Sequence, residues 1–326
     1  MRTAASISEL NRDSEFRDVV VACGVFDGVH RGHQQILAAL RRLARRSGAR
    51  AVALTFEPHP RTVLRPYAAP LRLTSLPQKL RLFEESGMEG VVVLPFSKEV
   101  AAMPPEQFVV RKLQAPGVCL RGVCVGRNWR FGARGEGNTR LLRKLGRRLG
   151  FALVAVPEFL YYGRPVSSTR IRRDLGHGRL EFCARLLGRP YAAEGIVARG
   201  QGLGASVFGC PTANVSAPGQ LLPPHGVYAA AGVLQTPASR KGRAQGSVPG
   251  IAYVGTRPTI TEGTKGPAFE PVLEFHGFDC EVDWYGQRLE VQFLKFLRPD
   301  RVFPDLAGLK AQIAADIAAA RTLFPG

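Results

Sequence analysis

Two histidines three residues apart, His30 and His33 in the stretch GVFDGVHRGH, stand where an apolar segment gives way to a basic helix. Gly24, Gly28 and Gly32 permit tight turns and close backbone approach there. A helix start presents free backbone N–H groups that favour phosphate oxygens. A pair of imidazoles at such a place can donate hydrogen bonds to charge developing on a transferred or departing phosphate. The plainer alternatives are a metal pair, for which no third ligand is near in sequence, or turn histidines without chemistry. The spacing is neither the dinucleotide-binding glycine pattern nor a phosphate loop with its Lys and Ser/Thr. A second constellation is GCPTANV, residues 209–215. Thr212 and Asn214 are two apart, so in an extended segment they point to one side. A hydroxyl and an amide oxygen are hard ligands suited to Mg²⁺, and a turn or strand end is the alternative. Further on, Glu274 and His276 alternate on one strand face, with Asp279 and Glu281 close behind.

The elements that must hold these residues fall into two textures. Val19–Ala22 is short and apolar enough for a buried strand, and the helix expected from Gln35 to Arg46 puts Ile36, Leu40 and Leu43 on one face. Strands are expected in ARAVALTF, MEGVVVLPF, GVCLRGVCVG and FALVAVPEF, with helices at Gln78–Ser86, EQFVVRKLQ and the basic LLRKLGRRLG. Strand and helix in alternation predict a doubly wound parallel sheet with helices on both sides. From about Ala192 short apolar runs are separated by Gly and Pro turns (EGIVARG, GVYAAAGVL, GIAYVG, VLEFHGF, EVQFLKFL). That pattern predicts a small antiparallel β-barrel, closed off by a C-terminal helix in LAGLKAQIAADIAAARTLF. The division is expected between residues 1–186 and 187–326.

The chain has 326 residues, with 45 Lys and Arg against 26 Asp and Glu, a formal charge of +19. Such an excess attracts RNA, acidic membranes and phosphorylated metabolites alike. Much of it is arginine on amphipathic segments such as LRRLARR, and no nucleic-acid recognition module accompanies it, so no specific nucleic-acid partner is expected. The six cysteines are scattered, without zinc-type spacing. The N-terminal residues carry acidic side chains and lack a secretory apolar core, and no apolar run approaches a membrane span. A cytoplasmic protein without a membrane partner, a monomer or weak homo-oligomer acting on small molecules, is the expectation.

The segment His30–His33 resembles the HxGH signature of nucleotidyltransferases. Together with FEPHP (Phe56–Pro60), GRNWRFG (Gly126–Gly132) and VSSTRIR (Val166–Arg172), it is similar in order to the bacterial bifunctional riboflavin kinases/FAD synthetases. GCPTANV resembles the PTAN motif of the kinase half, and VGTRPT, LEFHGFD, WYG and LRPDRVFPDLAGLKAQIAADI follow in that family's order. The resemblance implies an N-terminal nucleotidyltransferase domain that joins AMP from ATP to FMN, giving FAD and pyrophosphate, and a C-terminal barrel that phosphorylates riboflavin to FMN, with ATP as co-substrate and Mg²⁺ in both steps. It implies that His30 and His33 steady the ATP phosphates. Gly24, Phe26, Asp27, Gly32 and Asn128 are implied in the nucleotide and flavin pocket, and Ser167, Ser168, Thr169 and Arg170 on the phosphates. In the barrel it implies Gly200, Gly202, Gly209 and Pro211 around ATP, Thr212 and Asn214 on Mg²⁺, and Glu274 as the base that takes the ribityl hydroxyl proton.

Two departures bear on this. The family this chain resembles commonly carries an acidic pair in place of Arg127–Asn128, and usually Arg or Lys within the loop that is here uncharged from Leu203 to Val207. The second motivates an alternative, an FAD synthetase whose kinase domain is weak or inactive. A flavin-responsive RNA-binding protein is the alternative from another class.

Overall fold

The computed structural model describes residues 1–12, 14–198, 212–235, 246–259, 268–279 and 284–324. It forms two compact units, Met1–Leu71 with Leu76–Ser167, and Arg72–Ser75 with Ser168–Gly326. In the first, strands β1 (Arg2–Ala4), β2 (Asp18–Cys23), β3 (Arg50–Glu57), β4 (Gly90–Pro95), β5 (Cys119–Gly126) and β6 (Ala152–Val156) lie in the order β1-β4-β3-β2-β5-β6. Every neighbouring pair is parallel. Successive side chains of a strand point to opposite faces. Val19, Val21 and Cys23 accordingly join one core layer with Phe56, Phe108 and Leu142, while Val20 and Ala22 join the other with Leu37, Leu40 and Phe83. Burial on both faces, worth about 1.5–3 kcal/mol per Val or Leu side chain, is why these strands read as unbroken apolar runs.

The helices of this unit are α1 (Ile7–Leu10), α2 (Arg31–Ser47), α3 (Pro60–Leu64), α4 (Leu76–Glu85), α5 (Lys98–Ala102), α6 (Pro105–Phe108) and α7 (Thr139–Leu149). α2 starts four residues before the expected Gln35, because His30 caps it. It buries Leu37, Leu40 and Ala44, and ends at Gly48 in the left-handed region. The helix expected in EQFVVRKLQ is one turn of α6 running into a wider turn, Val109–Leu113. β1 and α1 were not expected, being too short to carry a period. The sheet reverses its winding at β2, which has β3 on one side and β5 on the other. The loops that leave the carboxyl ends of β2 and β5 flank this switch point, where an open parallel sheet binds its ligands. A two-stranded ribbon, β7 (Leu160–Tyr161) with β8 (Arg164–Pro165), follows β6.

The second unit carries α8 (Ser168–Gly176) and α9 (Leu180–Leu187), then strands β9 (Tyr191–Ala198), β10 (Ala213–Ser216), β11 (Gly226–Leu234), β12 (Val248–Thr259), β13 (Ala268–Gly277) and β14 (Arg288–Arg298), and finally α10 (Leu306–Arg321). The strands close into an antiparallel barrel in the order β10-β13-β12-β11-β14-β9. Tyr191, Tyr228, Phe275 and Phe293 are among its largest fully buried side chains. β11 is buried almost throughout, because Ala229 on its outer face packs with Ala320 and Ile317 of α10. That helix is pinned by Asp305, which accepts from the Gly308 N–H at 2.7 Å, and by a largely buried pair, Arg298 Nη2 to Asp316 Oδ2 at 2.8 Å. The short segment Arg72–Ser75 is held within this unit. Arg72 N–H donates to the Gly219 carbonyl at 2.9 Å, Gln220 Nε2 to the Leu73 carbonyl at 3.2 Å, and the Ser75 hydroxyl to the buried Glu194 carboxylate at 2.9 Å.

At Gly195 on β9 a Cβ would run into the Ser216 carbonyl of β10. Only glycine lets the two strands meet there. Gly195→Val is therefore expected to destabilise the barrel by about 3 kcal/mol, the upper end of overpacking costs, since the obstacle is backbone. Urea unfolding followed by Trp284, which packs against Phe275, in a Trp129→Phe background would show the earlier transition.

Candidate functional site

The loop from Gly24 to His30 leaves the carboxyl end of β2 in strained form. Phe26, Gly28 and Val29 have φ of 51°, 82° and 36°. Positive φ at Phe and a β-branched Val costs about 1–3 kcal/mol each, and surrounding packing sustains it: both side chains are almost wholly buried. Asp27, also buried, sits between them. The strain ends at His30, the N-cap of α2, whose Nδ1 accepts from the His33 backbone N–H at 3.4 Å. Accepting at Nδ1 puts the His30 proton on Nε2. The His30 and His33 rings stack at 3.6 Å with an 18° tilt, and Phe26 meets His33 edge-on at 5.1 Å. At Gly32 a Cβ would stand 3.2 Å from the His30 ring and 3.7 Å from the Val166 carbonyl, so glycine lets the ring lie across the first turn.

His33 is partly exposed, but its Nδ1 is buried without a hydrogen-bond partner. Burial, then the neighbouring His30, then Lys79 hold its imidazolium well below the ordinary histidine value of 6.5. His33 is thus a neutral imidazole at physiological pH, able to donate one hydrogen bond without carrying charge. A neutral histidine at a helix start, donating to developing negative charge, is a known catalytic arrangement.

Asn128 is exposed on the loop after β5, and its Nδ2 donates to Glu158 Oε1 at 3.1 Å. Glu158 thus places a carboxylate beside Asn128, a pairing that sequence order concealed. Trp129 and Phe131 stack at 4.6 Å and pack on the core. Ser167 closes the first unit, and Ser168, Thr169 and Arg170 open α8 in the second. Arg170 is 3.9 Å from the buried Asp174 carboxylate one turn on, and its guanidinium lies over the Phe182 ring.

In the barrel, β10 and β13 set Asn214 directly opposite Glu274, and β12 sets Tyr253 opposite Glu274 on its other side. Directly opposed residues share a face. The three form a row on the outer, partly exposed surface, between the buried Ala213, Val215, Leu273, Phe275, Ala252 and Val254. Thr212, two residues before Asn214, is also partly buried. The Tyr253 hydroxyl donates to Asp300 at 3.0 Å; burial, the Asp300 hydrogen bond and nearby carboxylates push its pKa up to about 12. Tyr253 therefore stays a neutral donor. Tyr253 belongs to no motif, and only the strand register brings it to Glu274, while Asp300 comes from the LRPDRVFPDLAGLKAQIAADI segment. Asp279 is engaged with Arg321 at 2.7 and 2.9 Å. Gly200, Gly202, Gly209 and Pro211, like the uncharged loop Leu203–Val207, lie outside the described residues.

Among the described residues no three His, Cys, Asp or Glu side chains gather to hold a metal ion, and no helix is long and apolar enough to cross a membrane. Asn214, opposite Glu274 on the neighbouring strand, and Thr212 two residues before it nevertheless offer the oxygen chemistry a hard divalent ion takes. Cys23, Cys119, Cys124 and Cys183 are free thiols, and burial pushes Cys124 and Cys183 up to about 12, which leaves these two unreactive.

Comparison with known families matches residues 12–170 to FAD synthetase and residues 187–324 to riboflavin kinase. A bifunctional riboflavin kinase/FMN adenylyltransferase of Escherichia coli K12 is 36% identical over 305 residues, covering 94% of this chain and 92% of that protein. The protein of the same description from Pseudomonas fluorescens is 36% identical over 313 residues, covering 96% and 95%. A crystal structure described as a macrolide-efflux protein from Streptococcus pneumoniae superposes with a TM-score of 0.78 at 26% identity, covering 98% of each chain. Two family matches in sequence, each on its own fold, and relatives aligned across both place the chain in the family of bifunctional riboflavin kinases/FMN adenylyltransferases.

Proposed function

We propose that this chain phosphorylates riboflavin with ATP in residues 187–326 and adenylylates the resulting FMN with a second ATP in residues 1–186. The observation that carries the reading is the separation of two phosphate-directed constellations into two folds: stacked His30 and His33 at the switch point of a parallel sheet, and Asn214 opposite Glu274 on a barrel. In the first, an FMN phosphate oxygen attacks the α-phosphorus of ATP, the bond to the β-phosphate oxygen breaks, and pyrophosphate leaves. The Nε2–H groups of His30 and His33 donate to oxygens that gain charge in this step. Gly24, Phe26, Asp27 and Gly32 shape the nucleotide site, Asn128 contacts flavin or nucleotide with Glu158 behind it, and Ser167, Ser168, Thr169 and Arg170 bind phosphate.

In the barrel, Glu274 accepts the proton of the ribityl 5′-hydroxyl as that oxygen attacks the γ-phosphorus of ATP and ADP leaves. Thr212 and Asn214 would hold Mg²⁺, which neutralises phosphate charge when bound. Gly200, Gly202, Gly209 and Pro211 serve the ATP phosphates through the backbone. The enzyme works in the cytoplasm as a monomer or weak homo-oligomer. The test is a time course with flavin-free protein, Mg²⁺ and ATP, fed riboflavin or FMN, with the flavins resolved by chromatography. FMN appearing before FAD is the expected result. FAD from supplied FMN alone would favour a monofunctional FAD synthetase, the reading motivated by the uncharged loop Leu203–Val207, and no product from either feed would remove both.

A further inference from the structure

Lys79 belongs to none of the motifs, yet only 5% of its surface is exposed. It sits on the first turn and a half of α4, and its Nζ stands 3.4 Å from Thr55 Oγ1 on β3. The Thr55 hydroxyl in turn donates to the Val25 carbonyl at 3.0 Å. Val25 begins the strained loop that leads to His30. One turn beyond Lys79, Phe83 meets Phe26 edge-on at 5.3 Å, and Phe26 meets His33. α4 thus engages the histidine loop twice, through a polar chain ending at Val25 and an aromatic chain ending at His33. Burying an ammonium loses its hydration, a cost an apolar side chain of similar length avoids. Packing alone gives no reason for a lysine here.

We propose that Lys79 is a positioning residue for adenylyl transfer: its buried ammonium, hydrogen-bonded to Thr55, which in turn bonds Val25 at the start of the loop, holds the histidine loop in place and keeps His33 uncharged. This rests on the reading of the N-terminal site given above. The buried Nδ1 of His33 has no hydrogen-bond acceptor. An N–H placed there would be a buried donor left unsatisfied, so the proton of the neutral ring belongs on Nε2. The charges that act on His33 are those of His30, stacked on it from the same helix start, and of Lys79, from α4; both oppose protonation. A neutral donor suits the reaction. A cationic His33 would also hold ATP and released pyrophosphate more tightly and so slow turnover, which a neutral donor avoids.

The test uses the full-length protein with Lys79→Met, which removes the charge and keeps the length, and Lys79→Arg, which keeps a charge. His33 is followed by ¹⁵N and ¹³C NMR through a pH titration without ligands, and FAD formation from FMN and ATP is measured from pH 6 to pH 8. In Lys79→Met the His33 titration is expected to move up, short of the ordinary value because burial and His30 still hold it down, and in Lys79→Arg to remain as in the wild type. The rise brings more of His33 into the protonated form at pH 6 than at pH 8, so the ratio of kcat at pH 6 to kcat at pH 8 should fall, by less than the roughly fourfold that a full return to the ordinary histidine value would give. Riboflavin phosphorylation should be unchanged in both variants. A folded Lys79→Met protein whose His33 titrates as in the wild type overturns the proposal. If Lys79→Met does not fold, Thr55→Val, which releases the anchor, must move the same titration, and an unmoved one is equally fatal. Wild-type protein that forms no FAD while its His33 responds to Lys79 would sink the adenylyl-transfer reading and leave the Lys79–His33 coupling standing.

Discussion

His33→Ala is expected to lower FAD formation from FMN about a hundredfold or more, while riboflavin phosphorylation proceeds at the wild-type rate. The size follows from losing a donor whose hydrogen bond strengthens as the leaving pyrophosphate gains charge, which is worth about 2.7–4 kcal/mol in comparable sites. The loss should fall on kcat more than on KM for ATP, because the interaction grows toward the transition state. His33 is suited to this test. The helix cap is made by the side chain of His30 and the backbone of His33, so alanine at 33 removes the donor and leaves the cap. Near-UV circular dichroism would establish that the first unit is intact. A folded variant that loses both activities together would break the assignment of one site to each unit.

Glu274→Gln is expected to do the reverse, lowering FMN formation from riboflavin about a hundredfold or more with FAD formation from supplied FMN unchanged. General-base contributions of this kind are about 10²–10⁴. Glutamine keeps the volume and a hydrogen-bonding oxygen, so the row Asn214–Glu274–Tyr253 can persist while the proton acceptor is lost. Tyr253 does not substitute for it: a phenol whose pKa is pushed up to about 12 is a donor at neutral pH and already serves Asp300. Quenched-flow measurement of FMN would separate slowed chemistry from slowed release. An unaltered burst with slower steady-state turnover would mean that Glu274 acts after phosphoryl transfer, against the assigned role.

Much of this is legible along the chain because the relevant physics is local. A buried parallel strand must be an unbroken apolar run, so β2 to β6 stand out, and alternating strands with Gly and Pro turns betray a barrel. His30 and His33 share one helix start, and Thr212 and Asn214 one short extended segment. What escaped is what distant segments assemble. Lys79 reads as a polar position on a charged helix until Thr55 and Val25 are seen beside it. Tyr253 reads as one aromatic in an alternating strand, and only the register of β12 with β13 makes it the neighbour of Glu274. Glu158 joins Asn128 across 30 residues. β1 escaped because three residues carry no period, and it owes its place to parallel pairing with β4.

The four residues Arg72–Ser75 join the barrel's unit from deep within the other half of the chain, and α8 and α9 precede the barrel proper. The barrel's unit is therefore not a contiguous length of polypeptide. Encoding the two halves as separate genes, with the break just before the first barrel strand, would leave Gln220 and Glu194 without the groups from Leu73 and Ser75 that they bind here. The hydrogen bonding of the barrel's unit thus draws on two separate lengths of one chain, and a polypeptide beginning just before the first barrel strand would lack one of them.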